Sequence, residues 1–111
     1  MYEYTAIVRE VYDGDTVTVD VDLGLCTWLH GQKLRLYGIN APEMRGEQRA
    51  TGTVTRDWLR GQILGKTVTI KTYKDQTEKY GRWLADIWAE GQRVSVNEQM
   101  VNNGLAVSYL P

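Results

Sequence analysis

The sequence predicts a mainly β protein, a small barrel of five short strands with two to three α-helices. Two observations predict it: apolar and polar residues alternate with a period of two over several short stretches, and only two stretches depart from that alternation. The chain has 111 residues, of which 42% are hydrophobic and 24% charged. It is too apolar for a disordered chain, and its length fits a single domain over residues 1–111.

Five stretches have the strand pattern. Valines alternate with Thr and Asp over residues 16–22, which is typical of a strand with one buried face. Residues 4–11 form the preceding strand, and Asp13-Gly14 between the two is a hairpin turn signal. The other predicted strands contain Leu34 and Leu36 up to Gly38, Val68 and Ile70, and residues 82–89.

Residues 47–64 interrupt the alternation. Ala50, Val54 and Trp58 recur at four-residue steps, which predicts an amphipathic helix with these side chains on its apolar face. Gly65 follows directly and is a typical stop signal.

A second helix is predicted over residues 95–103. Ser95 and Glu98 have the spacing of a capping box, and Asn103-Gly104 closes the segment. The element order is therefore three strands, a helix, two strands and a helix. That is the order of an OB-type barrel, so we expect an OB fold.

Cysteine and histidine usage limits the possible metal sites. The single Cys26 and the single His30 exclude a disulfide framework within the chain and argue against a zinc site. A metal would be held mainly by oxygen, which favours calcium or magnesium.

No apolar run approaches the roughly 20 residues needed to cross a bilayer, and the first residues lack the features of a signal peptide. We therefore expect no membrane association. The expected location is the cytoplasm, or outside the cell as the mature form of a secreted protein.

The net charge of −1 conceals a basic middle segment. Residues 31–82 contain eleven Lys and Arg against five acids, whereas residues 1–30 have a net charge of −5. A basic segment of this kind suits phosphate binding, or it is an ordinary solvated face.

Three motifs contain groups that could perform chemistry. Asp15 lies in an Asp-Gly-Asp-Thr turn and can offer a carboxylate to a hard cation, although such turns are also common for steric reasons. Arg35 lies between two leucines, so alternation turns its guanidinium away from the core. Asn40, Ala41 and Glu43 follow in a loop stiffened by a proline.

The third motif opens the last predicted strand with Lys79, Tyr80, Gly81 and Arg82. A cation beside a ring suits a nucleotide, while a lone Arg beside a Gly is usually a solvated charge. Together the motifs supply oxygen ligands for a cation, a further carboxylate and two arginines. Phosphodiester cleavage needs these parts, because Arg forks and a metal offset charge that develops on phosphorus.

The ordered motifs resemble those of a known family. They are Asp13-Gly-Asp-Thr16, Arg35-Leu-Tyr-Gly-Ile-Asn-Ala-Pro-Glu43, Tyr80-Gly-Arg82, and Val96-Asn-Glu98 with Gly104-Leu-Ala106. They extend over nearly the whole chain, from about Thr5 to Pro111. On these residues the sequence resembles the staphylococcal nuclease-like, or thermonuclease, family.

The resemblance implies an OB-fold, calcium-dependent nuclease that hydrolyses DNA and RNA to leave 3′-phosphate ends. It implies a catalytic set of Arg35, Glu43 and Arg82. It implies calcium ligands from Asp15, Asn40, the Ala41 carbonyl and Glu43. It implies nucleotide contacts from Lys79, Tyr80 and Tyr109. We expect single-stranded nucleic acid to be preferred, no protein partner and a monomer.

The sequence departs from the family pattern at two informative places. Asn40 stands where the staphylococcal enzyme has Asp, which removes one negative charge and predicts weaker or altered metal binding. The segment from Leu23 to Gln32 is longer than the corresponding hairpin. Its Trp28 is either a core or hairpin residue or a base-stacking platform, whereas Trp58, Trp83 and Trp88 are interpreted as core residues.

Two other functions remain open. An OB domain of this kind can bind nucleic acid or a protein without cleaving anything, in which case the charged set is often incomplete. A different phosphodiester or nucleotide hydrolase with the same fold is the other possibility. The presence of Arg35, Glu43 and Arg82 favours the nuclease.

Overall fold

The computed structural model describes residues 2–77 and 81–109, with residues 74–77 described by their backbone alone. In this part of the chain, five strands close a barrel in the order β1-β2-β3-β6-β5, and the β3–β6 pair is parallel while the other pairs of the barrel are antiparallel. This confirms the predicted barrel fold. The elements are β1 (Tyr2–Asp13), β2 (Thr16–Gly24), β3 (Thr27–Leu36), β4 (Ile39–Asn40), α1 (Arg49–Ile63), β5 (Thr67–Thr77), β6 (Trp83–Ala89), α2 (Val96–Asn102) and β7 (Val107–Ser108).

The barrel interior is filled by the inward side chains of alternating strands, as the period-two pattern requires. β4 and β7 form a separate short pair, which the sequence did not predict. The buried core includes Val8, Val17, Val19, Leu34, Leu36, Ile70 and Ile87 from the strands, with Leu59 and Ile63 from α1 and Met100 from α2.

The predicted apolar face of α1 is wrong for two of its three residues, Ala50 and Val54. Ala50 is exposed and Val54 is 59% exposed, while Trp58 is partly buried against the core. The buried positions of this helix are instead Gly52, Thr55, Leu59 and Ile63. Thr55 tolerates burial because its hydroxyl donates a hydrogen bond to the Leu105 carbonyl at 2.7 Å. A prediction from apolar residues alone cannot identify a buried threonine of this kind.

The predicted second helix is confirmed, and its capping residue is Ser95, whose hydroxyl accepts the Glu98 backbone N–H at 3.1 Å. Asn97 on this helix fastens it to the barrel. Its buried side chain accepts the Ile87 N–H and donates to the carbonyls of Tyr37 and Ala85. Within residues 2–77 and 81–109, neither helix is long and apolar enough to span a bilayer.

The β2–β3 hairpin is long and has an apolar tip. Leu25 is fully exposed, and Leu25 and Cys26 have φ angles of 54° and 62°, in the left-handed region that Asn and Gly usually occupy in such turns. Trp28 lies on this hairpin and is 38% exposed, so it belongs to the hairpin rather than to the core. Its interpretation as a stacking platform stays a prediction.

The interpretation of Trp83 as a core residue is wrong. This side chain is 38% exposed and lines a mouth of about 210 Å³ at one end of the barrel, together with Tyr4 and Leu29. Trp83 shares a face of β6 with the buried Ala85 and Ile87, but it is the first residue of the strand and is left partly open to solvent at the mouth.

Candidate functional site

The candidate residues meet where the β1–β2 turn touches the loop that follows β4. The turn consists of Gly14 and Asp15, one residue later than predicted, because Asp13 still pairs with Thr16. The Asp15 side chain accepts the Ala41 N–H at 3.1 Å, and its backbone carbonyl accepts the Leu36 N–H at 2.9 Å. One aspartate therefore joins the turn, the end of β3 and the loop.

Arg35 lies at the centre of this cluster. Its guanidinium donates to the carbonyls of Leu36 and Ile39 at 2.9 Å, and its side chain is only 14% exposed. The same group lies 3.5 Å from the Asp15 carboxylate and 3.4 Å from the Asn40 amide oxygen. These contacts fix the orientation of the guanidinium and bring three of the predicted site residues together.

Arg82 reaches the cluster from the residue directly before β6, the parallel neighbour of β3. Its guanidinium donates to the Thr16 hydroxyl at 2.7 Å, and that hydroxyl lies 3.3 Å from the second carboxylate oxygen of Asp15. Thr16 pairs with Arg35 in the β2–β3 ladder. Arg35 on β3 and Arg82 directly before β6 are therefore linked through Thr16 and Asp15.

Glu43 lies in the same loop, but its side chain is directed toward solvent. Its side chain is 67% exposed, and its carboxylate lies 3.8 Å from the Arg45 guanidinium. Its backbone N–H donates to the Gln48 side chain, which ties the loop to the start of α1. Among the described residues, the cation paired with the Glu43 carboxylate is therefore Arg45, a residue outside the predicted site.

Two glycines, Gly14 and Gly52, set the position of the loop, and the sequence did not predict the close contact that either one makes with it. A Cβ on Gly14 would lie 2.8 Å from the Ala41 Cβ and 2.6 Å from a Thr55 methyl group. A Cβ on Gly52 would collide with the carbonyl of Glu43. Because neither residue has a side chain, the loop can pack directly against the turn and the helix. A glycine inside a predicted helix, as at Gly52, was the sequence signal for such a contact.

Asp13 is a further carboxyl group at the turn, and the sequence reasoning did not assign it a role. Burial raises its pKa to about 6, and the neighbouring Asp15 adds to the rise. Its carboxylate accepts the Asp15 N–H at 3.0 Å, so it shapes the turn that presents Asp15.

The donors at this cluster are oxygen atoms of the kind that hard cations prefer. They comprise the Asp15 carboxylate and the Asn40 amide oxygen, which both lie within 3.5 Å of Arg35, and the Ala41 carbonyl next along the chain. No group of three or more His, Cys, Asp or Glu side chains suited to a metal occurs within residues 2–77 and 81–109. A cation here would therefore rely on amide and carbonyl oxygens as well as carboxylates.

The predicted nucleotide contacts are only partly described. Tyr109 is 53% exposed, and its N–H donates to the Gly38 carbonyl at 2.8 Å, which holds it beside the β4 end of the cluster. Lys79 and Tyr80 lie outside the described residues.

Comparison with known proteins identifies relatives along most of this sequence. The family model described as Staphylococcal nuclease homologue matches residues 33–110. A thermonuclease of Staphylococcus hyicus is 30% identical over 107 residues, covering 94% of this chain and 59% of the relative. Protein ParB of Escherichia coli is 32% identical over 109 residues, covering 92% of this chain and 55% of the relative.

A third relative is the probable endonuclease LCL3 of Yarrowia lipolytica, which is 37% identical over 81 residues, covering 68% of this chain and 35% of the relative. The chain therefore spans less than two thirds of the length of each of these relatives. The match to the family model covers more than half of the chain and includes Arg35, Glu43 and Arg82. The chain belongs to the staphylococcal nuclease homologue family.

Proposed function

We propose that this chain is a calcium-dependent nuclease that hydrolyses single-stranded DNA and RNA and leaves 3′-phosphate ends. The observation that supports it most strongly is the linkage of Arg35 on β3, Asp15 in the β1–β2 turn and Arg82 before β6. Nuclease names among the relatives support the general activity. Calcium, the substrate preference and the type of product are inferred from the family resemblance together with the chemistry of the donors.

The two arginines would bind and orient the scissile phosphate. Arg forks match the geometry of phosphate oxygens and stay charged at every useful pH. Arg35 already lies in a fixed orientation, because two backbone carbonyls accept from it. Little reorganisation is then needed when negative charge develops on the phosphoryl oxygens.

Asp15, Asn40, the Ala41 carbonyl and Glu43 would hold the calcium ion. When bound, the ion would polarise a phosphoryl oxygen and supply a nearby water. The Glu43 side chain is exposed, so it can turn toward substrate and orient or deprotonate the attacking water.

One experiment tests the function directly. Single-stranded DNA is incubated with the protein in calcium and, in parallel, with a chelator, and the product ends are mapped. We expect cleavage only with calcium, with 5′-hydroxyl ends that a kinase labels without prior phosphatase treatment. Absence of cleavage in calcium, with DNA binding intact, would instead support a non-catalytic domain.

The second candidate is a catalytically weak domain that binds nucleic acid or a protein. One observation favours it: the Glu43 carboxylate has Arg45 as its described ion-pair partner rather than either proposed catalytic arginine. Asn40 in place of an acidic ligand also weakens the expected hold on calcium.

A further inference from the structure

The outer face of the first three strands contains a cleft that the proposed catalytic residues do not account for. Its volume is about 480 Å³. We call it the Tyr12 cleft, and it is lined by Glu10, Tyr12, Asp13, Thr16, Thr18, Lys33 and Arg82.

The strand register places this cleft one step along the sheet from the catalytic cluster. Thr18 pairs with Lys33 on one side and with Glu10 on the other, forming a row across the three strands. The next row contains Thr16 paired with Arg35. Residues two apart on a strand share a face and lie about 7 Å apart, so Lys33 is one such step from Arg35. That step is on the order of the distance between successive nucleotides in an extended single strand.

The cleft is continuous with the cluster through shared residues. Arg82 lines the cleft and donates to Thr16, which also lines it and contacts Asp15. A nucleic-acid strand whose phosphate binds at Arg82 can therefore continue into the cleft that Arg82 itself lines.

Tyr12 presents an aromatic surface beside this path. Its side chain is 68% exposed on β1, next to the turn that presents Asp15. An exposed ring of this kind stacks on an unpaired base with little dependence on sequence. A base held within a duplex would not be available to it, so the cleft suits single strands.

Lys33 and Glu10 give the cleft a direction. The exposed ammonium of Lys33 on β3 suits a phosphate, whereas the Glu10 carboxylate on β1, on the other side of β2, repels one. The phosphate backbone of a bound nucleic acid would therefore lie on the Lys33 side of the cleft, with its base directed toward Tyr12.

We propose that the Tyr12 cleft binds the nucleotide adjacent to the scissile phosphate of a single-stranded nucleic acid, with Tyr12 stacking on its base and Lys33 contacting its phosphate. The proposal rests on the proposed nuclease function for the identity of the scissile phosphate. The Tyr12 cleft and Tyr109 lie at opposite ends of the cluster, since Tyr109 is beside Gly38. The nucleotide in the cleft would therefore extend away from Tyr109.

The test measures equilibrium binding of a dye-labelled oligothymidylate by fluorescence anisotropy, in a chelator so that cleavage does not occur. Tyr12→Ala should weaken binding on the order of 10-fold, and Tyr12→Phe, which keeps the ring, should restore it. Tyr2→Ala is the matched control, because Tyr2 is also an exposed β1 tyrosine but lines the barrel mouth instead.

Lys33→Gln should reduce the magnitude of the salt dependence of log Kd by about 0.7, the value for one phosphate contact on a single strand. Lys66→Gln is the control, since the Lys66 ammonium lies at the end of α1 and donates to the Gly61 carbonyl. Unchanged affinity in Tyr12→Ala, or equal losses in Tyr12→Ala and Tyr2→Ala, would overturn the proposal.

Cleavage kinetics in calcium separate this proposal from the nuclease function. The ratio of oligonucleotide cleavage to cleavage of bis(p-nitrophenyl) phosphate should fall about 10-fold in Tyr12→Ala, because the small diester has no adjoining base. If the wild-type protein cleaves neither substrate, the nuclease function fails, and the anisotropy result still decides whether the cleft binds single strands.

Discussion

Arg35 has structural contacts that support the role proposed for it in phosphate binding. Its guanidinium is largely removed from water, which is costly for a charge unless it is well paired. The carbonyls of Leu36 and Ile39 and the carboxylate of Asp15 supply that pairing. Because these acceptors come from the end of β3, from β4 and from the β1–β2 turn, and Arg35 also contacts the Asn40 amide oxygen, the residue that would bind phosphate organises the neighbouring oxygen donors.

At the same scale, Asn40→Asp is expected to tighten calcium binding. The change replaces a neutral amide oxygen with a carboxylate, and calcium affinity rises with the charge of its ligands. Isothermal titration should show a lower Kd for calcium than in the wild type. Asn102→Asp, an exposed position on α2, is the control and should leave the affinity unchanged. Equal or weaker affinity in Asn40→Asp would remove position 40 from the ligand set.

At the scale of elements, the contact between α1 and the loop depends on Gly52. Gly52→Ala introduces a Cβ that collides with the Glu43 carbonyl, which is backbone and cannot rotate away. We expect a loss of about 1–3 kcal/mol in the free energy of unfolding and reduced cleavage as the loop shifts. Urea unfolding and initial cleavage rates measure the two effects.

Gly61 provides a matched control on the same helix. A Cβ at this position meets nothing within 4 Å, so Gly61→Ala should stabilise the protein by about 0.5–1 kcal/mol through helix propensity. If Gly52→Ala were equally stabilising, the close approach of helix and loop would not exist in solution.

The long β2–β3 hairpin is held to β1 by a buried carboxylate, Asp20. It accepts hydrogen bonds from Arg9 at 2.7 Å and from the Gly31 N–H at 3.0 Å, and His30 lies 3.1 Å away. The Arg9 hydrogen bond is the main reason that its pKa falls to about 2, followed by the Gly31 N–H, with His30 contributing further.

A lowered carboxylate pKa gives a stabilisation that is present above the unfolded value of 3.8 and is lost as the pH falls through about 2. Asp20→Asn should therefore melt below the wild type at pH 6, and the difference in Tm should shrink between pH 4 and pH 2. Glu90→Gln, an exposed position after β6, should show no such pH-dependent gap. A gap that stays constant down to pH 2 would contradict the role of Asp20.

The accuracy of the sequence predictions also differs between elements. The strands were predictable because burial on one face imposes a period of two, as Val17 and Val19 show. The buried face of α1 was not predictable from periodicity. Thr55 is buried because it bonds to the distant Leu105 carbonyl, and Gly52 is buried because it packs against the Glu43 backbone. Helix periodicity alone therefore selected Val54, which is exposed.

At the scale of the whole molecule, closure of the barrel brings the candidate residues together. The parallel pairing of β3 with β6 places Arg82 near Arg35, although the two residues are 47 positions apart in the sequence. The motifs predicted one shared site, and the structure brings Asp15, Arg35, Asn40 and Arg82 of that set together. They did not predict the outward direction of Glu43 or the cleft beside Tyr12, because both depend on how strands and loop pack.

The most direct test of the account is the single-turnover cleavage rate of an end-labelled single-stranded oligonucleotide in saturating calcium, for the wild type, Arg35→Lys and Arg82→Lys. Lysine keeps the charge and loses the planar fork, so each variant should cleave on the order of 100-fold more slowly, with unchanged circular dichroism. Arg93→Lys, at an exposed position before α2, should cleave at the wild-type rate. A rate close to that of the wild type in Arg35→Lys or Arg82→Lys would contradict the central claim that these two guanidinium groups act together on one phosphate.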